Sequence, residues 1–408
     1  MHASGGGRVD GGPPPKGRWG ALALLSLAVL LGMAEWFTAT AVGPALADRW
    51  DLTGSQVSLL TTLVQLGFVA GTLVAAVLNL ADVLPIRLYF AGASILAAAA
   101  NAGLLVADGF VSGALLRFAT GFALAGVYPP AMKMCATWFL RGRGLAIGAV
   151  VGALTVGKAA PYLIKAVGGV GEVPVILGAS TGGVIATLLV LGFYRDGPYE
   201  FARRPFAWGR VAEVVRDRPT RLATLGYVGH MWELYAMWSL VPGFLAATFA
   251  MRGWSGADAL GFGVIAVGGV GAVLAGWWAD RWGRARVASG AMVVSGACAT
   301  VVGFLGGAPG PLLVAVVLVW GFSVVADSAQ FSALVTEVAP SHAVGTALTL
   351  QTTVGFAVTA VAIEVATRVA AGLGWGPAFL LLAAGPLFGI ESMRRFSADR
   401  TRTADHPG

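Results

Sequence analysis

Acidic side chains interrupt the apolar stretches of this chain at two related positions. Glu35 and Glu233 are 198 residues apart, and the same offset aligns Asp82 with Asp280. An ionised side chain at the centre of a bilayer costs at least about 2.5–3.5 kcal/mol on insertion scales, so it is usually paired, neutral or in contact with internal water. Two such acids at corresponding positions predict a duplicated helical bundle with a polar site near its midline.

The second of these acids belongs to a polar stripe. Tyr227, His230 and Glu233 follow one another at intervals of three and lie along one side of a helix. His230 is therefore placed to share a proton with Glu233, the candidate proton carrier. The alternative is a pair that only satisfies two buried polar groups and fixes helix packing. Trp232 and Trp238 either form an aromatic cage for a cationic substrate or pack the helix.

Other polar side chains lie in separate apolar segments. Glu35 is a second proton site, a countercharge to Arg117 or part of a structural pair. Lys158 requires either a protein carboxylate, the favoured partner, or a substrate anion. Asp327 and Gln330 share one helix face. The predicted substrate- and proton-binding residues are Glu35, Arg117, Lys158, His230, Glu233, Asp327 and Gln330.

The composition is that of a membrane protein. Of 408 residues, 57% are hydrophobic and 12% are charged, whereas a soluble domain has roughly 25% charged residues. The alternation typical of barrel strands is absent, so helices are the expected spanning elements. The formal charge of +7 does not indicate nucleic-acid binding, because the arginines lie in short loops between apolar segments.

The sequence predicts neither a cofactor nor a metal site. The four histidines are scattered without metal-ligand spacing. The glycine-rich residues 268–271 lie inside an apolar segment and do not follow a strand, so the nucleotide-loop interpretation fails. No catalytic constellation or ATP-binding motif is present, and we do not expect an enzyme.

Twelve apolar segments organise the chain as an all-α integral membrane protein of two pseudo-symmetric six-helix bundles. Residues 19–194 and 221–392 form the bundles, 195–220 a basic linker, and 1–18 and 393–408 the tails. The predicted spans are 19–43, 56–80, 87–107, 111–134, 143–166, 173–194, 221–246, 258–279, 287–306, 311–334, 344–367 and 375–392.

Basic residues predict the orientation of these spans. If the N-terminus is cytoplasmic, the linker arginines and most loop arginines lie on the cytoplasmic side. The other side keeps only Arg49, Lys165, Arg252 and Arg368. This asymmetry follows the positive-inside rule and predicts a multi-pass protein of the cytoplasmic (inner) membrane, embedded in lipid, with both termini in the cytoplasm.

The loop after the eighth span resembles a family signature. Residues 276–286, GWWADRWGRAR, closely match the loop motif of the major facilitator superfamily. Together with the twelve spans, the basic linker and the two-fold repeat, the resemblance covers essentially the whole chain. In that family the aspartate and arginines of the motif connect helix ends and set the balance between outward-open and inward-open states. The resemblance therefore implies a gating role for Asp280, Arg281 and Arg284.

The first-half copy of this motif is degenerate. Residues 80–87, LADVLPIR, keep Asp82 but lack the arginine and the glycine of the signature. Asp82 remains a gating candidate, expected to pair with Arg141 or Arg143. The alternative is a simple loop salt bridge, worth under about 1 kcal/mol.

Two further resemblances concern transport chemistry. Arg117 and the four residues after it resemble the family's cavity-arginine motif, which is tied to proton coupling, and spans 1, 4, 7 and 10 line the cavity in that family. Residues 126–144 resemble the nitrate, nitrite and cyanate porter branch. The second and eighth spans lack that branch's nitrate-binding arginines, so nitrate itself is not expected. The fifth span lacks the Gly-Pro signature of antiporters and has Lys158 and Pro161 in that region instead. This weakens the case for drug/proton exchange as the function.

We therefore predict a proton-coupled secondary transporter for a small polar organic solute, with an anion as one option, acting as a monomer. The two halves would rock around a shared site that includes Glu35 and Glu233. The alternatives are an exporter of amphipathic compounds and a non-transporting membrane sensor or scaffold.

Overall fold

A computed structural model describes residues 15–140, 142–168, 171–199 and 206–405. The predicted N-terminal tail up to residue 14 and part of the linker lie outside the described residues. Within the described ranges the chain is helical and contains no strand, and twelve helical segments are long and apolar enough to cross a membrane. The predicted fold class is confirmed.

The helices of the first half begin and end as follows: α1 (Arg18–Gly32), α2 (Thr38–Ala41), α3 (Gly43–Trp50), α4 (Gly54–Val77), α5 (Leu80–Val83), α6 (Ile86–Ala102), α7 (Phe110–Leu124), α8 (Tyr128–Ala136), α9 (Arg143–Gly168) and α10 (Glu172–Phe193). Those of the second half are α11 (Val211–Arg216), α12 (Arg218–Arg252), α13 (Ala257–Trp282), α14 (Arg284–Val302), α15 (Gly310–Ala326), α16 (Ser328–Val338), α17 (Val344–Leu373), α18 (Trp375–Leu382) and α19 (Ala384–Asp405).

Two helices differ in length from the predicted spans. The 35-residue α12 is longer at both ends than the predicted 221–246. The last helix, α19, continues to Asp405, through residues that the sequence analysis assigned to the tail. We call the end of the molecule where α10 ends and α12 begins the linker end, and the opposite end the far end.

Part of the predicted linker is folded against the second half. Residues Trp208–Arg210 form a 3-10 turn that leads into α11. The Ala207 amide donates to the Thr346 hydroxyl at 3.0 Å, and His342 Nε2 lies 2.9 Å from a Glu213 carboxylate oxygen. Residues 206–216 of the linker are thus held at the start of α17, whereas Gly197 and Tyr199 at its beginning donate backbone hydrogen bonds to Thr137, which follows α8.

Several spans are interrupted where polar site residues lie. The first span breaks between Gly32 and Thr38, and Glu35 lies within this break. Asp327 ends α15 and precedes α16 in the tenth span. Backbone groups that leave the helical pattern inside a bilayer need other partners, so each break requires a nearby donor or acceptor.

The two halves repeat the same helix packing. A Cβ at Gly121 on α7 would lie 2.0 Å from the Val64 carbonyl oxygen on α4, and a Cβ at Gly321 on α15 would lie 1.8 Å from the Val264 carbonyl oxygen on α13. Both positions therefore exclude any side chain. The two contacts are related by an offset of 200 residues, close to the offset between the two glutamates, which supports duplication of the bundle.

The halves meet mainly through α9 against α13 and α4 against α17. Small residues allow the first pair to approach closely, since a Cβ at Gly152 would lie 3.0 Å from the Gly269 carbonyl oxygen. At the far end, Lys165 forms an ion pair with Asp258 at 3.1 Å. The halves are also joined there by a Ser58–Thr367 hydrogen bond of 3.3 Å.

Candidate functional site

Lys158 lies in the middle of the contact between the two halves. It is carried by α9 of the first half, and its side chain is 1% exposed. Its ammonium group donates to the hydroxyl of Tyr235 on α12 of the second half. The same nitrogen lies 3.7 Å from the ring centroid of Trp36 and 4.4 Å from that of Tyr235. A desolvated ammonium over ring faces is a strong cation–π arrangement.

Three aromatic rings lie around the Lys158 ammonium and three more pack against them, and we call these six rings the aromatic cage. They are in contact from ring to ring, with centroid separations of 5.0 Å for Trp36–Phe68, 4.5 Å for Phe68–Phe356 and 5.2 Å for Tyr235–Phe356. Both halves contribute to the cage, so it lies where the halves would separate. Its members are Trp36, Phe37, Phe68, Tyr235, Trp238 and Phe356.

The structure changes the interpretation of three sequence-predicted contacts here. Lys158 was expected to pair with a protein carboxylate, but no carboxylate among the described residues forms an ion pair with it. Trp238 does belong to an aromatic cage, yet the cation in the cage is the protein's own lysine. Trp232 lies elsewhere and donates to the Leu381 carbonyl oxygen at 3.2 Å.

Arg117 holds the break in the first span. One guanidinium nitrogen donates to the Glu35 carbonyl oxygen and to Asn101 Oδ1, each at 3.1 Å. Another donates to the carbonyl oxygen of Trp36. These carbonyls lie between α1 and α2, where the Glu35 carbonyl has only a long bond of 3.5 Å from the Thr38 amide. A buried guanidinium group with several donors is suited to satisfy them. Arg117 therefore positions the backbone that carries Trp36 into the cage.

Glu35 does not face the cage. Its side chain is fully buried, and neither carboxylate oxygen accepts a hydrogen bond from a described residue. A Cβ at Gly183 on α10 would lie 2.3 Å from Glu35 Oε1 and 3.1 Å from the Ala98 methyl group on α6. The carboxyl thus points between α6 and α10. The predicted countercharge to Arg117 is not formed as a direct ion pair, because Arg117 contacts the Glu35 backbone instead.

Glu233 is buried within the second half. One oxygen accepts a hydrogen bond from the Ser295 hydroxyl on α14 at 2.8 Å, and the other accepts one from Trp320 Nε1 on α15 at 2.7 Å. Glu35 and Glu233 therefore point into their own bundles. The structure does not bring the two glutamates into one central chamber, contrary to the sequence-based expectation.

His230 pairs with Asp327 and not with Glu233. Its Nδ1 lies 2.8 Å from Asp327 Oδ1, and its Nε2 lies 2.8 Å from the Ser328 hydroxyl. The predicted His230–Glu233 pair is wrong because both ring nitrogens of His230 contact Asp327 and Ser328 instead. The His230–Asp327 contact joins α12 to the junction between α15 and α16, so a proton there affects two spans at once.

Gln330 belongs to the linker end of the molecule and not to its centre. Its side-chain oxygen accepts a hydrogen bond from Arg284 at 3.3 Å, and Arg284 also forms an ion pair with Glu337 at 2.6 Å. The sequence analysis placed Gln330 in the binding site because it shares a helix face with Asp327. The helix α16 carries the two residues to different depths.

The predicted gating residues lie at the linker end. A Cβ at Gly144 would lie 3.3 Å from Asp280 Oδ2, so this acid faces the first turn of α9 in the other half. A carboxylate is stabilised at such a helix N-terminus. The Arg281 guanidinium lies 3.6 Å from the Trp277 ring centroid. These positions fit the family motif, and the gating role itself remains a prediction.

Asp82 has a different partner from the one expected. It pairs with Lys133 on α8 within the first half. Arg141 and the side chain of Arg143 lie outside the described residues. The pairing satisfies the carboxylate locally.

Sequence reasoning missed several residues of the site. Trp36 and Tyr235 hold Lys158, and Ser295 and Trp320 hold Glu233. The signal for Tyr235 was present, because it is three residues from Trp238 and shares its helix face. No pattern in the sequence indicates the partners on other helices, because only tertiary packing brings them close. The described residues contain no cluster of three or more potential metal ligands.

Comparison with known proteins identifies the class of this protein. Residues 24–363 match the sequence profile of the Major Facilitator Superfamily, and the chain belongs to that family. It is a multi-pass secondary transporter for a small molecule and not an enzyme.

A solved structure shows the same fold. The crystal structure of a mutant of the nucleoside transporter NupG aligns with a TM-score of 0.70 and 14% sequence identity, covering 92% of this chain and 99% of that chain. At this identity the likeness concerns the fold alone. No curated protein matches the sequence.

Proposed function

We propose that this transporter carries a small organic anion and that Lys158 binds it. The observation that supports the proposal is the burial of one ammonium group between the two halves with aromatic rings and one hydroxyl as its described partners. A buried charge without a counterion is costly, and a substrate anion would supply the missing charge. The resemblance of residues 126–144 to an anion-porter branch agrees with this substrate class.

The location of Lys158 couples binding to alternating access. Its aliphatic stem belongs to the first half, while Tyr235 belongs to the second. An anion that binds the ammonium replaces part of this link and rearranges the contact between the halves. Binding thereby alters the equilibrium between the two orientations, as alternating access requires.

Proton coupling is proposed to involve the acids of the second half. Glu233 is held by two neutral donors, and Asp327 contacts His230. Loading Glu233 with a proton removes a buried charge and favours the state that closes around the substrate. Under symport, proton and anion then cross together with their charges balanced.

The protein is proposed to lie in the cytoplasmic (inner) membrane. The distribution of arginines puts its linker end on the cytoplasmic side. The protein is proposed to act as a monomer. Export of amphipathic compounds remains the alternative, because the cage is strongly apolar.

Anion uptake into proteoliposomes tests the proposal. The panel contains radiolabelled organic anions, a neutral solute and an organic cation. Lys158→Gln should reduce uptake of the transported anion by at least about tenfold, equivalent to about 1.4 kcal/mol. The matched control is Arg368→Gln, which removes a 74% exposed cation that already has a carboxylate partner, Glu364. Unchanged anion uptake by Lys158→Gln, or preferred uptake of the cation, contradicts the proposal.

A further inference from the structure

We propose that the aromatic cage selects a monocarboxylate with a flat, unsaturated body, of which benzoate is the simplest probe. The inference rests on the proposed function and names the substrate class of the same site. Three observations carry it: the number of charges in the cage, the buried donors of its rings and the aromatic character of its walls.

The cage contains a single positive charge. Lys158 is its cation, and the two terminal nitrogens of the nearby Arg117 donate to the carbonyls of Glu35 and Trp36 and to Asn101. One ammonium neutralises one carboxylate. A dicarboxylate would bring a second charge into a region of aromatic rings, where an unpaired charge is strongly disfavoured.

Two buried indole nitrogens, on rings that contact the Lys158 ammonium, have no partner among the described residues. They belong to Trp36 and Trp238. Both side chains are at most 1% exposed. An indole N–H can only donate, so both groups require an acceptor such as a carboxylate oxygen.

The walls of the cage are aromatic rings. Tyr235 and Trp238 meet at 68°, and Trp36 and Phe68 meet at 60°, so the rings are tilted against one another. An aromatic ring favours edge or offset contact with another ring, so such walls favour a flat, unsaturated body over a saturated one. Among the six rings only Trp36, Tyr235 and Trp238 carry a hydrogen-bonding group, so a sugar or nucleoside lying against them would leave several hydroxyls unpaired, which binding sites reject strongly.

Binding to the purified full-length protein tests the inference. Isothermal titration calorimetry with benzoate, cyclohexanecarboxylate, benzamide, terephthalate and uridine separates shape, charge and hydroxyl content. We expect benzoate to bind at least about tenfold more tightly than each of the others. Equal or tighter binding of terephthalate, cyclohexanecarboxylate or uridine overturns the inference, as does the absence of saturable benzoate binding.

Variants assign the result to the cage. Lys158→Gln should abolish the preference for benzoate over benzamide. Trp36→Phe keeps a ring but removes the indole donor and should weaken benzoate binding by roughly ten- to a hundredfold, the value of a hydrogen bond to a charged group. Trp208→Phe in the exposed linker is the matched control. Benzoate affinity unchanged in Trp36→Phe contradicts the donor role.

Two outcomes of these uptake and binding experiments distinguish failure of the aromatic monocarboxylate class from failure of anion transport itself. If Lys158-dependent uptake is found for an aliphatic dicarboxylate such as succinate, anion transport stands and the aromatic monocarboxylate class falls. If the protein binds a neutral solute without dependence on Lys158, both fall.

Discussion

At the scale of single residues, the structure separates two kinds of buried charge. Lys158 lies between the halves and contacts aromatic rings from both of them. Glu35 and Glu233 lie inside their own bundles, against α6 and α10 in one case and α14 and α15 in the other. The proposed substrate-binding charge and the proposed proton-binding charges are therefore at different places, and coupling between them would pass through the helices that connect them.

Glu233 offers the sharpest residue-level test of proton coupling. Glu233→Gln mimics the protonated side chain and retains an acceptor for Trp320 or Ser295. We expect it to abolish accumulation driven by a proton gradient while counterflow exchange, which needs no net proton movement, is largely retained. Both are measured in proteoliposomes with a labelled substrate.

The control for this experiment is Glu364→Gln, because Glu364 forms an ordinary ion pair with Arg368 one helical turn away at the far end. It should leave both activities unchanged. Full proton-driven accumulation by Glu233→Gln would show that another group carries the proton.

At the scale of helices, the breaks in the spans determine where the polar residues point. Arg117 donates to two carbonyl oxygens in the break between α1 and α2. Trp36 lies in the same break, and its ring packs against the Lys158 ammonium. A change in the protonation of Glu35, in the same break, is therefore able to alter the position of Trp36. This gives a physical route from a buried acid to the proposed substrate site through a few residues of backbone.

Close helix packing in the repeated pairs predicts a stability effect. Gly321→Ala places a methyl group 1.8 Å from the Val264 carbonyl oxygen, so α13 and α15 must separate. We expect a loss of about 1–3 kcal/mol, typical of overpacking, measured as a lower midpoint of thermal unfolding in detergent.

The matched substitution is Gly290→Ala on α14, where a Cβ meets nothing within 4 Å. It should be neutral or slightly stabilising, since alanine favours the helix by up to about 1 kcal/mol. Equal stability of the two variants would disprove the packing argument.

The sequence was informative about elements and much less so about contacts. The twelve spans and the family motif around Asp280 follow from apolar segment lengths and from local sequence. The pairing of His230 does not, because Glu233 and Asp327 were both plausible partners and only tertiary packing brings Asp327 to 2.8 Å. Gln330 shows the same limit, since a shared helix face does not determine depth in the membrane.

At the scale of the whole molecule, the halves contact each other at both ends. The linker end has Asp280 against the start of α9, and the far end has the Lys165–Asp258 ion pair. Alternating access requires these contacts to break in turn. Lys158 and the cage lie between them, where a substrate would be enclosed.

A cross-link at the far end tests this movement. Ser58 and Thr367 are hydrogen-bonded across the halves at 3.3 Å, so cysteines at both positions should form a disulfide on oxidation. The cross-link should stop transport, and reduction should restore it. The native Cys135 and Cys298 are buried, and each single-cysteine variant serves as a control. Transport that continues in the fully cross-linked protein contradicts alternating access at this end.

The central claim is that an anion binds the Lys158 ammonium within the aromatic cage. A cryo-electron-microscopy structure of the protein with its transported anion tests this most directly. The account predicts ligand density within hydrogen-bond distance of Lys158 Nζ, about 2.7–3.2 Å, with rings of both halves around its body. Ligand density at another site, with Lys158 still bonded to Tyr235 and covered by Trp36, would contradict it.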